Sequence, residues 1–137
     1  MIRVTALDHF VLRVRDLDKS LAFYHGILGL PIESLEEYRA GQRPFVSARV
    51  ADQLIDLVPD PTYDGEASFA TSGFMHLCVR IDGSLEQNVI PRLKEHGVTL
   101  VEEVPMTRMG ATGYGGSIYV RDPDGYVVEL KEETEPA

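Results

Sequence analysis

Two six-residue segments, HFVLRV at 9–14 and HLCVRI at 76–81, carry the same plan. A His opens each, an Arg holds the fifth position, and apolar residues fill nearly all the rest. A β-strand sends alternate side chains to opposite faces. Phe10, Leu12 and Val14 then share one face, and His9, Val11 and Arg13 share the other. In the second copy His76, Cys78 and Arg80 fall together. A chain that repeats such a strand is expected to repeat the structure around it.

The flanking pattern agrees. After the first segment Asp16 is placed to cap a helix, and Leu17, Leu21, Tyr24 and Leu28 recur at helical spacing until Gly29. Strands are predicted at 31–38, 44–50 and 53–58. After the second segment Ser84 and Gln87 have capping-box spacing. Leu85, Val89 and Leu93 form an apolar stripe, Gly97 ends the helix, and Pro91 is expected to kink or shorten it. Strands are predicted at 98–104, 115–121 and 126–132, the last two joined by a DPDG turn at 122–125. Each half therefore reads β-α-β-β-β. The expected organisation is a first module at 5–58, a linker at 59–73 rich in Pro, Gly and Ser, a second module at 74–132 and a tail at 133–137. The stretch EETEP near the end reads as a frayed terminus.

Charge and composition narrow the function classes. The net charge of −9 argues against nucleic acid or an anionic membrane as partner. The single cysteine, Cys78, excludes an internal disulfide. Arg3 and Asp8 interrupt the apolar start, so no signal peptide is predicted, and the uncharged run at 67–79 is too short and polar to span a bilayer. The expected location is the cytoplasm.

Three polar residues stand out on apolar strands. A single His in such a place is ordinarily structural, with its hydrogen bond satisfied. His9 and His76 occupy equivalent places in a repeat, which makes that reading harder to sustain. Glu129 lies in the middle of YVVELKE, and a carboxylate among valines costs several kcal/mol unless it is paired or ligates a metal. Asp56, in LIDLV, is its counterpart in the first half. Two imidazoles with one or two carboxylates suit a divalent transition metal. The alternative is a neutralising His–Glu hydrogen-bonded pair.

The segments LDHFVLRVRDLDKSLAFYHGILGL, HLCVRI and SIYVRDPDGYVVELKE together resemble the vicinal oxygen chelate superfamily, the group of glyoxalase I, extradiol dioxygenases and fosfomycin-resistance thiol transferases. The resemblance implies an α+β fold of two βαβββ modules whose curled mixed sheets form a cup around one divalent metal (Fe, Ni, Zn, Mn or Co). It carries metal ligation to His9, His76 and Glu129. In glyoxalase I a Glu stands where this chain has Asp56, which is shorter by roughly 1.5 Å of reach, so Asp56 is a candidate fourth ligand. Similarity to the fosfomycin-resistance enzymes implies that Ser117 and Tyr119 line the cup, Tyr119 with Glu129 among the catalytic candidates. Arg13 and Arg80 face the same side as the two His and are candidate substrate anchors. The glycine-rich MGATGYGG at 109–116 reads either as an amide cradle for an anion or as a plain hairpin connection. His25 and His96 fall on the helices, away from the cup.

The implied function is a metal-dependent enzyme acting on a small molecule with vicinal oxygens, a glyoxalase-like lyase or isomerase first. An extradiol ring-cleaving dioxygenase is the second reading, since no spare acid–base His is available for it. A metal-free antibiotic-binding protein is the third. The family precedent implies a homodimer in which paired modules come from different subunits.

Overall fold

The structure, a computed structural model, describes residues 1–65 and 72–133. The chain forms two compact units, Met1–Asp64 and Gly65–Ala137, each built on its own mixed sheet. The fold class is α+β, as expected. The part of the expected linker at 66–71 and the tail at 134–137 lie outside the described residues.

The first unit has a four-stranded sheet in the order β1-β4-β3-β2. Strand β1 (His9–Val14) pairs in parallel with β4 (Gln53–Pro59), and β3 (Val46–Val50) pairs antiparallel with both β4 and the short β2 (Ile32–Glu33). A parallel pair needs a crossover, and a helix supplies it. Helix α1 (Leu17–Leu21) starts at Asp16, whose carboxylate accepts the Lys19 amide at 3.3 Å. It continues as a π-type turn through Ala22–Ile27 and ends at Gly29, which takes the left-handed φ of 73°. The wider turn rotates the buried face, so Ser20, Phe23 and Tyr24 lie inward and the Leu17 and Leu21 positions are only partly covered. Leu12, Val14, Val46, Ile55 and Leu57 meet them from the sheet. Each fully buried side chain of this size contributes ~1.5–3 kcal/mol.

The strand predicted at 31–38 is mostly not a strand. Only Ile32–Glu33 pairs; Ser34 turns the chain at φ 67°, and Leu35–Arg39 winds into helix α2. Glu36 and Glu37 in its first turn and Arg39 in its last suit the helix dipole. An ion pair between Glu33 and Arg49 ties the short strand down.

The second unit repeats the plan with five strands. Strand β5 (Leu77–Ile81) runs parallel to β9 (Val127–Glu132), which pairs antiparallel with β8 (Gly113–Arg121). Ser84 caps the crossover by accepting the Gln87 amide at 3.2 Å. The capping box is closed differently from the expectation, since the Ser84 amide bonds the Asn88 side chain at 3.2 Å. Leu85–Val89 form a π-type turn that runs into helix α3 (Ile90–Glu95). Pro91 thus sits in the first turn of α3, where a missing N–H costs little. Leu85, Ile90 and Leu93 pack with Ile118, Val120, Val128 and Leu130 as the buried set of this unit. In the DPDG turn the Gly125 amide reaches the Asp122 carbonyl at 3.0 Å, with Gly125 at φ 93°. Asp122 accepts the Asp124 and Tyr126 amides, each at 2.9 Å. At the C-terminal end Glu132 is not frayed, because it lies in β9 and accepts the Leu85 amide at 2.8 Å.

The edge strand of this sheet is broken in two. Strands β6 (Thr99–Leu100) and β7 (Met106–Gly110) both pair with β8, and the sequence pattern had shown only the first. In the gap Glu102 replaces the missing backbone. Its carboxylate accepts the Tyr119 amide at 3.2 Å and holds Arg108 through two bonds of 2.6 and 2.8 Å. Arg108 holds the Glu102 carboxyl below its ordinary value. Glu102→Gln is expected to cost ~1–2 kcal/mol near neutrality, the range for charge-assisted bonds at a partly exposed pair. Because the folded pKa is depressed, this contribution is present above the ordinary carboxylate value of 4.5 and is lost as the pH falls through the folded value. In urea unfolding the gap between the two proteins should therefore close in acid. A gap that is constant with pH would show that the charge contributes nothing.

No helix among the described residues is long and apolar enough to cross a membrane.

Candidate active site

Each unit brings one imidazole and one carboxylate together on one sheet face. In the first, β1–β4 pairing puts His9 level with Leu54 and Val11 level with Asp56. Asp56 is therefore two residues beyond the His9 partner, on the same face. His9 Nε2 lies 3.9 Å from Asp56 Oδ2. In the second, Leu77 opens the pairing opposite Val128, so His76 immediately precedes β5, and continuing that register by one residue puts Glu129 two beyond the position opposite it. His76 Nε2 lies 3.2 Å from Glu129 Oε1. The repeat seen in sequence is thus a repeat of geometry.

Burial differs within each pair. Asp56 and Glu129 are both 5% exposed, whereas the His9 and His76 side chains are 48% and 35% exposed. A buried carboxylate beside a half-exposed imidazole can be reached from one side only. His9 Nδ1 donates to Asp8 Oδ1 at 2.6 Å, which leaves Nε2 directed to the face. That bond also raises the His9 pKa. Asp56 is fixed from behind, since Ser47 Oγ donates to its Oδ1 at 2.5 Å and Arg43 donates to Ser47 at 3.3 Å. Among the described residues no three His, Cys, Asp or Glu side chains gather into one metal-sized group.

In the second unit Tyr119 is the register partner of Glu129 and stacks edge-on against His76 at 5.1 Å between ring centres. Burial, then the Glu129 charge, pushes its phenol pKa up. The Arg108 guanidinium lies over the Tyr119 ring at 4.2 Å and donates to Ser117 Oγ at 2.9 Å. Ser117 is fully buried on this face. Cys78 is the other register partner of Glu129. Desolvation of its sulfur, then Glu129, pushes the thiol up to about 11, although the residue is exposed overall.

The arginines singled out from sequence lie at the margins. Arg13 is 61% exposed and approaches Asp60 at 3.5 Å, and Arg80 reaches Thr112 Oγ1 at 3.4 Å. The glycine-rich stretch at 109–116 is a hairpin, with Met109 paired to Tyr114 and Gly110 to Gly113. Apart from Ala111 and Thr112 at the turn, its residues pair in the sheet, as the hairpin reading expects. His25 Nδ1 donates to the Leu30 carbonyl at 2.8 Å and His96 closes α3; neither belongs to these faces. Sequence reasoning missed Glu102, Arg108, Ser47 and Lys131. Period-two alternation from Glu129 places Lys131 on its face, and the same alternation in MTRMG places Arg108.

Comparison with known proteins fits this geometry. The chain is 31% identical to "Virulence protein STM3117" of Salmonella typhimurium over 94% of this chain and 85% of that protein. The crystal structure of that protein superposes with a TM-score of 0.74 at 29% identity, covering 97% of this chain and all of the other. A lactoylglutathione lyase of Neisseria meningitidis is 30% identical over 90% of this chain and 88% of its own length. With two mixed sheets, a matched His–carboxylate pair on each, and residues 6–130 fitting the family as a whole, the chain belongs to the Glyoxalase/Bleomycin resistance protein/Dioxygenase superfamily.

Proposed function

We propose that the chain is a metal-dependent enzyme acting on a small molecule with vicinal oxygens, as a glyoxalase-like lyase or isomerase. The observation that carries this is the His–carboxylate pair repeated at the same register in both units. The donor set fits a divalent ion: imidazole nitrogens accessible from one face, and carboxylates buried where an uncompensated charge would be costly. Protein sites for such ions use three or four donors, so two half-sets of two have to combine. His9, Asp56, His76 and Glu129 would hold the ion, with Asp56 the shortest-reaching of the four. Bound there, it would supply Lewis-acid stabilisation of negative charge on a substrate oxygen.

The chain's own residues have separable parts in this reading. Glu129 is the base that takes a proton from the hydroxyl-bearing carbon and returns it to the neighbouring carbonyl carbon, while the hydroxyl proton passes from the first oxygen to the second, so that the isomer balances. The Tyr119 hydroxyl, kept protonated, donates to a substrate oxygen, and Arg108 holds its ring in place. Ser117 offers a further donor. The names of the lactoylglutathione lyases among the relatives support the lyase branch. We propose in addition that the protein is a homodimer, with each ligand set shared between two chains.

Protein purified without chelator should carry a divalent metal in elemental analysis. It should convert lactoylglutathione, or form it from its thiol and aldehyde halves, with activity lost on chelation and restored by added metal. A metal-free preparation that stays inert with every divalent ion tried would overturn the reading.

A further inference from the structure

Lys131 is a buried ammonium without a hydrogen-bond partner among the described residues. The residue is 2% exposed. It follows Glu129 by two on β9, so it lies on the same face as Glu129 and Tyr119. Its stem crosses the β7–β8 hairpin over two glycines. A Cβ at Gly110 would lie 2.8 Å from Lys131 Cε, and one at Gly115 would lie 3.0 Å from Nζ. The hairpin glycines therefore make a trough for this side chain, a more specific role than flexibility. The surrounding charge is also unusual. Arg80 and Ser117 are the register partners of Lys131 on either side. Two cations directly opposite one another repel, and this row carries no acidic residue. The nearby Arg108 has its charge matched by Glu102, and its bond to Ser117 Oγ uses a lone pair, leaving the Ser117 proton to donate. Among the described residues this ammonium has no ion-pair partner; a buried charge so placed is costly, and an anion removes that cost.

We propose that Lys131, with Ser117 beside it and Arg80 at the rim, anchors an anionic group, a carboxylate or a phosphoryl group, on the small molecule this face binds. The proposal rests on the reading of this face as a substrate face, and it names the charge class that the metal set does not. The expected complex has the anion between Lys131 Nζ and the Ser117 hydroxyl, with the reacting oxygens displaced toward Glu129.

The test uses the full chain stripped of metal, so it does not depend on catalysis. Backbone amide resonances of Gly110, Gly115 and Ser117 are followed by NMR while inorganic phosphate, and separately acetate, is added. Saturable shifts at these amides are expected with at least one of the two, and the tighter one identifies the chemistry. Lys131→Met should weaken that binding by roughly tenfold or more, and Lys131→Arg should retain most of it. Lys131→Gln serves as the neutral variant if the Met protein does not fold. Wild-type protein without saturable shifts, or a neutral variant that titrates like wild type, would overturn the proposal. Loss of metal-dependent activity with anion binding intact would count against the enzymatic reading alone.

Discussion

His76→Ala and Glu129→Gln are each expected to lower divalent-metal affinity by roughly 100-fold or more, beyond the effect usual for residues that only support ligands. Isothermal titration of chelator-stripped protein measures it. The expectation follows from the 3.2 Å approach of His76 to Glu129 and from the burial of the carboxylate. A structural His–Glu pair predicts something different, namely loss of stability with metal content unchanged, so unfolding and titration on the same variants separate the two. Asp56→Asn is the sharper comparison. Asp56 matches Glu129 in register and burial, but its shorter side chain leaves it 3.9 Å from His9. The amide keeps the shape and loses the charge, while Ser47 can still donate to its oxygen. Weakened binding in Asp56→Asn would assign four protein ligands. Unchanged binding would leave a three-ligand site with more open positions for substrate.

The parts of the fold legible in sequence were those set by strong local periodicity. The two His-led strands, the Asp16 and Ser84 caps, the stops at Gly29 and Gly97 and the DPDG turn all rest on side chains acting within a few residues. Glu129 was visible for the same reason, as a charge out of place in a period-two pattern. What was missed depended on distant partners. The segment 35–39 carries no strong apolar period, and its helix follows a positive-φ turn at Ser34 that no Gly or Asn announces. The break between β6 and β7 exists because Glu102 reaches back to Arg108 and the Tyr119 amide, a contact with no local signature. The sequence pattern puts Pro91 inside the second helix, where it kinks or shortens it; the π-type turn before it makes it instead a first-turn residue of a short helix. Lys131 was hidden by composition, since a lysine near a chain end ordinarily reads as solvated surface.

Mixing His9→Ala protein with Glu129→Ala protein is expected to restore metal binding and activity that neither variant has alone. Among the described residues each unit shows one His–carboxylate pair, and the proposed ligand set takes one pair from a first unit and one from a second. If they meet across a two-fold axis, a homodimer has two sites, each with His9 from one chain and His76 and Glu129 from the other. In a mixed dimer one site then carries both lesions and the other carries none. With equal amounts and free exchange, half the dimers are mixed and half of their sites intact, so about a quarter of the wild-type sites should return. The control is a mixture prepared without exchange, which should stay inactive. If exchange is demonstrated by mass-tagged subunits and the mixture still binds no metal, each ligand set is assembled within a single chain. That outcome would leave the metal set intact as a proposal and remove only the shared dimer. The quarter-recovery figure carries the distinction, because an intrachain site gives no recovery at any mixing ratio.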